Sequence, residues 1–167
     1  MSVCTAATCL ANWEILPRQV AHRMAMANLL DSLIAEIPGV RVYQIPEDRT
    51  HTYWIYGFNV DPEQFTCTPA ELAEQLKEAG IASCGLALYY ILPLGVPFLA
   101  ENVESGVFPF STPPASRKID YTAERICPNS IAFMKTFIRW FWTEKYTQDH
   151  IEHIARIIRD VCARNRR

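Results

Sequence analysis

Several motifs that mark a catalytic or cofactor site are absent from these 167 residues. No GxGxxG or Walker loop is present to cradle phosphates, and no GxSxG presents a serine nucleophile. The six cysteines are scattered, with neither a CxxC pair nor a paired metal spacing. On local motifs alone, the chain therefore resembles a binding or supporting domain more than an enzyme.

A strong charge of either sign is also missing. Sixteen basic and eighteen acidic residues leave a net charge of −2 and a pI near 6.1. Nucleic-acid binding usually needs a basic stripe, so we expect no nucleic-acid partner. The basic ending RNRR is more simply explained as complementing a helix end.

No apolar run in the sequence is long enough to span a membrane. The longest, residues 86–100, contains Pro93 and Pro97 and cannot span a bilayer. The opening MSVCTAATCLANWE lacks the basic start of a secretory signal. We therefore predict a soluble, cytoplasmic protein without a membrane partner, whose reduced cysteines act mostly as small hydrophobes.

Half of its residues are hydrophobic, enough for the core of one domain, with an N-terminal element loosely attached to it.

The first third of the chain predicts a long helix followed by two strands. Apolar residues recur every three or four positions from residue 20 to Ile37, and Pro38 with Gly39 stops the pattern. Pro17 either kinks one long helix or starts a second. Residues 40–43 and 50–60 are β-branched and aromatic, which predicts strands.

The middle of the chain carries a complete helix start. Thr68 can cap, Pro69 suits the first helical position, and Glu71 can reach back to the cap. Gly80 ends this helix. Residues 81–89 then predict a strand, and residues 101–115, with few helix formers, predict an irregular segment.

The last third predicts a helical turn at residues 121–127 and a strand at residues 135–142, buried on both faces by aromatics. Thr147 then caps a terminal helix whose apolar residues follow the i, i+3, i+4, i+7 pattern. This order of elements predicts an α+β fold: one small, mainly antiparallel sheet covered by helices, with a long N-terminal helix.

Few side chains are placed for chemistry. His150 and His153 could offer two metal ligands, but no pattern completes a zinc site, and exposed histidines are the simpler interpretation. Cys84 follows a helix C-terminus, where the dipole disfavours a thiolate, so we predict a buried structural thiol. His51 either faces a pocket or sits at a strand end. The four lysines lie outside apolar strand ends, where burial would lower their pKa. We therefore predict no catalytic, cofactor-binding or metal residue.

The order of several segments resembles the C-terminal domain of the DegT/DnrJ/EryC1/StrS aminotransferases. The runs TPAELAEQLKEAGI and LYYILPLGVPF carry the clearest likeness. AATCLANWEIL, with Arg18 and Arg23 after it, is similar to the helix that leaves the family's large domain, and RTHTYWIY resembles its His-Ser-Tyr strand. CPNS and WTEKYTQDHI resemble its closing pattern. Two departures stand out: Gly95 replaces a frequent histidine, and Trp140-Phe141-Trp142 replaces Leu-Pro-Trp.

The resemblance implies a small domain, residues 38–167, preceded by an interdomain helical segment, residues 1–37. It places His51, Tyr90, Pro93 and Gly95 on the substrate side of the complete enzyme. The other interpretation of residues 90–97 is a buried exit loop without a ligand. The complete enzyme would use pyridoxal phosphate (PLP) to move an amino group to a keto sugar or a similar small molecule.

The family's lysine and most of its phosphate contacts belong to a large domain that would precede this chain. We therefore expect a truncated reading frame, an excised domain or half of a split enzyme. It would be inactive and bind no PLP alone, would need the large domain or a partner chain, and would form a homodimer. The alternatives are a freestanding, non-catalytic binding module that retains the fold, or a thiol or metal enzyme using Cys84 or the two histidines.

Overall fold

The N-terminal helix is the longest element of the computed structural model, which describes residues 1–116 and 123–167. Helix α1, Val3–Ile34, begins where Ser2 accepts a hydrogen bond from the Thr5 N–H, and it runs through Pro17 without a break. Its 32 residues give a length of about 48 Å. Only its second half enters the core, through Ala27, Leu30 and Ile34.

One four-stranded antiparallel sheet, in the order β1-β2-β4-β3, forms the centre of the fold. The strands are β1 (Val40–Arg41), β2 (Ile55–Val60), β3 (Gly85–Leu86) and β4 (Phe137–Phe141). The α+β prediction with a small antiparallel sheet is thus confirmed. The edge strands are short, and β2 begins at Ile55 rather than residue 50, because residues 42–54 cross the sheet edge as a strap without helix or strand.

Helices cover one face of this sheet. Helix α2, Pro69–Glu78, starts with the predicted capping box: Thr68 Oγ1 accepts from the Glu71 N–H, and Glu71 Oε2 accepts from the Thr68 N–H. Helix α7, Gln148–Arg164, follows Thr147 and buries its whole apolar stripe. It packs against α1 and α2, and Phe58, Ile138 and Trp140 of the sheet are completely buried in the same core.

The segment after α2 differs from the sequence prediction. Only Gly85–Leu86 of residues 81–89 is a strand, because Leu88–Tyr90 winds into a 3-10 helix. Helices α3, Leu92–Gly95, and α4, Pro97–Ser105, follow it. Residues 101–105, predicted to be irregular, are therefore helical. Proline at the first position and Gly106 in the left-handed conformation just after the last turn are the ends that a helix prefers.

Two short helices precede β4: α5, Ala123–Ile126, and α6, Pro128–Met134. The turn predicted at residues 121–127 is helical from Ala123 to Ile126, while Tyr121 and Thr122 lie outside the described residues. Within residues 1–116 and 123–167, no helix combines the length and the apolar character needed to cross a membrane.

Candidate functional site

An aromatic cavity lies at the unpaired edge of β2. β4 pairs with one edge of β2 along its length, but β1 pairs with the other edge only at Asn59 and Val60, so that edge has no strand beside it from Ile55 to Phe58. The strap covers this edge and encloses about 220 Å³. We call this space the Asp31 cavity; its characteristic residues are Asp31, Tyr43, Tyr53, Tyr56, Phe133 and Phe137.

The aromatic rings of this cavity pack against one another in two groups. Tyr43 lies 5.7 Å from Phe133 and 6.0 Å from Phe137, measured between ring centroids. Tyr53 stacks on Tyr56 at 6.2 Å. Such contacts rigidify the walls, so the shape of the cavity does not depend on a single side chain.

Asp31 supplies the acidic group of the cavity. The Tyr56 hydroxyl donates a hydrogen bond to Asp31 Oδ1. Burial raises the pKa of Asp31, and the bond from Tyr56 opposes this rise only in part. Burial, followed by the nearby Asp31 charge, raises the pKa of the Tyr56 hydroxyl as well, so the shared proton stays on the tyrosine.

Sequence reasoning missed Asp31, although a signal was present. It lies four residues after Ala27 and three before Ile34, both completely buried. The period of 3.6 residues places it beside the buried stripe of α1. A carboxylate at such a position needs a polar partner, and Tyr56 is that partner.

His51, a predicted site residue, lies on the strap and lines the Asp31 cavity. Its Nδ1 accepts a hydrogen bond from the Tyr53 N–H at 3.2 Å, and its ring meets the Tyr53 ring edge-on at 4.4 Å. An accepting Nδ1 leaves Nε2 as the protonated nitrogen of the neutral ring. His51 can therefore offer one N–H donor at the edge of the cavity.

Arg23 of α1 holds the strap in place. Its Nη2 donates to the Tyr53 carbonyl at 2.5 Å and to the Trp142 carbonyl at 3.0 Å. In return, Trp142 Nε1 donates to the Arg23 carbonyl at 3.1 Å. Tyr53 has a φ of 49°, in the left-handed region that bulky residues avoid, and these contacts stabilise it there.

Tyr90, the second predicted site residue, lines a more open hollow of about 680 Å³ between the 3-10 helix and α6. Phe133 borders both this hollow and the Asp31 cavity, so His51 and Tyr90 belong to two adjoining spaces. Pro93 and Gly95 lie in α3, which directly follows Tyr90 along the chain.

The face of the sheet opposite the helices carries aromatic rings packed around the buried Arg139 side chain. The Arg139 Cζ lies 5.9 Å from the Tyr90 ring centroid and 5.4 Å from that of Phe141. Phe141 in turn lies 6.5 Å from Trp54, and both of these rings are more than half exposed. The predicted burial of β4 on both faces is thus incomplete. A planar guanidinium beside aromatic rings is a common arrangement at binding surfaces.

Cys84 is buried, as predicted, and burial raises the pKa of its thiol to about 12. His150 completes the capping box of α7, accepting the Thr147 N–H at 3.1 Å. His153 is exposed. Within the described ranges, no three His, Cys, Asp or Glu side chains come close enough to hold a metal ion.

Comparison with known proteins identifies the family. Residues 1–119 match the model of the DegT/DnrJ/EryC1/StrS aminotransferase family. The chain belongs to this family. No curated protein sequence matches the chain significantly.

The likeness of this DegT/DnrJ/EryC1/StrS family member to solved structures extends past residue 119, where the match to the family model ends. Spr1654 from Streptococcus pneumoniae, described as a sugar aminotransferase and solved in its PMP form, has a TM-score of 0.67 and 16% identity, and 93% of our chain matches 33% of that one. The aminotransferase TlmJ from Streptoalloteichus hindustanus has a TM-score of 0.61 and 16% identity, and the match covers 90% of our chain and 34% of that one. An aminotransferase from Psychrobacter cryohalolentis has a TM-score of 0.62 and 16% identity, and the match covers 93% of our chain and 37% of that one. Our chain thus spans about a third of the aminotransferases whose fold it shares.

PLP needs a lysine amine and an acid facing its pyridine nitrogen. Lys77 pairs with Glu74 at 2.9 Å on the surface of α2. No lysine lines the Asp31 cavity or the hollow beside Tyr90, and Lys118 lies outside the described residues. The described residues therefore do not fit PLP as a self-contained site.

Proposed function

We propose that the chain is the C-terminal small domain of a PLP-dependent aminotransferase of the sugar or inositol type. Residues 1–37 form its interdomain helical segment and residues 38–167 its α+β small domain. Membership of the family supports this proposal, as does a fold that spans about a third of solved aminotransferases. In the complete enzyme, PLP supplies the electron sink for amino transfer from a donor such as glutamate to a keto sugar.

The exposed first half of α1 is the observation that carries this proposal. Val3, Leu10 and Trp13 are 86%, 69% and 71% exposed, and their spacing of seven and three places them on one stripe of the helix. An apolar stripe on a projecting helix is typical of a surface that another part of the protein covers. We infer that the large domain covers it, either as part of the same polypeptide or as a partner chain.

His51, Tyr90, Pro93 and Gly95 then lie on the substrate side of the assembled enzyme. His51 offers its Nε2–H as a donor, and Tyr90, which lies beside the buried Arg139 guanidinium, offers an aromatic surface. These residues bind and orient the substrate. The lysine comes from the large domain, so the chain alone should not transfer amino groups. We further propose that the assembled enzyme is a cytoplasmic homodimer.

Reading the DNA upstream of the Met1 codon is the first experiment. An open frame or a neighbouring gene that encodes a PLP-lysine domain would support the proposal. A stop codon upstream, with no gene for such a domain nearby, would favour the freestanding binding module instead.

Reconstitution tests the role of the apolar stripe directly. The large domain so identified is mixed with the chain, amino transfer to a keto sugar is measured, and light scattering gives the oligomeric state. Trp13→Glu should lower the activity at least about tenfold, because a buried interface tryptophan commonly contributes 2 kcal/mol or more. Thr8→Glu, which adds the same charge at an exposed position on the opposite side of the helix, should change the activity less than about twofold. Equal losses in the two variants would contradict the proposed docking surface.

A further inference from the structure

We propose that the Asp31 cavity is a binding site for an organic ammonium ion, a primary amine carried on a small ring or short carbon chain. The site consists of this chain's own residues. Its existence therefore does not depend on whether the chain completes an aminotransferase.

The charge inside the cavity selects a cation. Among the described lining residues, Asp31 is the only acidic one, and none is a lysine or an arginine. No lysine, arginine or histidine of the described residues forms an ion pair with Asp31, which accepts its hydrogen bond from the neutral Tyr56 hydroxyl. A partly buried carboxylate without a counter-ion is destabilised, and a bound cation would relieve this cost.

The walls favour an organic cation. Five aromatic rings contribute to the lining, and the faces of such rings attract ammonium groups. The same rings provide apolar contacts for the carbon frame of the ligand. A small metal ion would instead need several oxygen or nitrogen ligands, and the described part of the lining offers a single carboxylate.

Backbone groups add a second acceptor for the ammonium. Gly57 lines the cavity at the edge of β2 that no strand covers. In the antiparallel register, Gly57 directs its carbonyl and N–H to the same side as Asn59, which pairs with β1. The Gly57 carbonyl is therefore available to accept a hydrogen bond from a ligand, as is the Asp31 carboxylate.

The size of the cavity limits the ligand. About 220 Å³ is below the usual volume of sites for drug-sized molecules, so the ligand is a single ring or a short chain. A second space of about 270 Å³, lined by Asn28, Glu47 and Arg49, adjoins it through Asp31 and His51. Polar substituents of a ligand could extend into that space.

Titration of the full chain with two probes of the same shape tests the proposal. Benzylammonium carries the charge and benzyl alcohol does not. Calorimetry should show at least tenfold tighter binding of benzylammonium, and NMR should show contacts from the probe to the rings of Tyr43 and Phe137. Equal affinity for the two probes, or no saturable binding at millimolar concentration, would overturn the proposal.

Two charge variants separate the cavity from general electrostatic attraction. Asp31→Asn should weaken benzylammonium binding at least tenfold and leave benzyl alcohol within twofold. Asp48→Asn removes the same charge from an exposed position of the strap and should leave both affinities within twofold. Similar losses for the two variants would assign the binding to surface charge and refute the site.

A third variant keeps the test decisive if Asp31→Asn does not fold. Tyr43, which is 40% exposed, can be changed to leucine with little risk to the core. Tyr43→Leu keeps an apolar wall but removes one ring, so benzylammonium should bind about two- to fivefold more weakly while benzyl alcohol changes less. Unchanged benzylammonium affinity in this variant would contradict an aromatic ammonium site.

Discussion

Gly57 and Gly85 flank the same residue of the sheet and provide a matched pair of substitutions. Both pair with Arg139, Gly57 from β2 and Gly85 from β3. A Cβ at position 57 would lie 2.5 Å from Cε2 and Cζ of Phe137 and 2.6 Å from the carbonyl oxygen of Ile138. A Cβ at position 85 would meet no heavy atom within 4 Å. Alanine at the two positions therefore differs in packing far more than in backbone conformation.

The two substitutions should change the free energy of unfolding in opposite directions. Gly57→Ala overpacks the sheet, which typically costs about 1–3 kcal/mol of unfolding free energy. Gly85→Ala restricts the unfolded chain without a clash and should stabilise by about 0.4–1 kcal/mol. For a protein of this size, the two melting temperatures should differ by roughly 3–16 °C.

Urea unfolding followed by tryptophan fluorescence measures both changes, because the chain has four tryptophans. The double variant Gly57→Ala with Phe137→Leu should recover part of the loss, since it removes the ring but keeps the clash with the Ile138 oxygen. If Gly57→Ala unfolds within about 0.5 kcal/mol of Gly85→Ala, the close packing of Phe137 over Gly57 is refuted.

Three further predictions concern the strap, the buried carboxylate and the thiols. Arg23→Lys should lower the unfolding free energy by about 1–3 kcal/mol, because the lysine ammonium lies one bond nearer the backbone than Nη2, the atom that donates to both carbonyls; a loss below about 0.5 kcal/mol would contradict this role. Asp31 has a raised pKa in the folded state, so its contribution to stability is fully present below the ordinary carboxyl pKa near 3.8 and is lost as the pH rises through the raised value. Asp31→Asn should therefore gain stability relative to the unmodified chain between pH 4 and pH 7, and a pH-independent difference in urea unfolding would be the contrary result. Iodoacetamide at pH 8 should label the exposed Cys4 and Cys9 in the native protein but Cys84 only after unfolding, as mass spectrometry of the peptides would show. Labelling of Cys84 in the native protein would contradict its burial.

Local signals predicted the helices well and the edge strands poorly. The box at Thr68 and the stripe of α7 depend on residues three or four apart, and both appear as predicted. The strand predicted at residues 81–89 reduces to Gly85–Leu86, because a strand needs a partner along its length and β4 pairs with only these two residues. Helix α4 was missed because residues 101–115 have few helix formers and were predicted to be irregular as a whole.

Two of the four predicted site residues lie beside cavities. His51 and Tyr90 do border cavities, and the structure places these cavities on either side of Phe133. Whether they face a substrate stays a prediction. Asp31 escaped notice because its partner, Tyr56, lies 25 residues further along the chain.

The sequence by itself determined the start of α2 at its capping box, the apolar stripe of α7, the α+β class and the likeness to a family of aminotransferases, since each depends on neighbouring residues or on the order of short motifs. Only the tertiary structure decided which groups meet. Arg23 reaches the Trp142 carbonyl across 119 positions, and the Phe137 ring covers Gly57 through the pairing of β2 with β4. Contacts of this kind follow from the packing of distant segments, and no local pattern of residues encodes them.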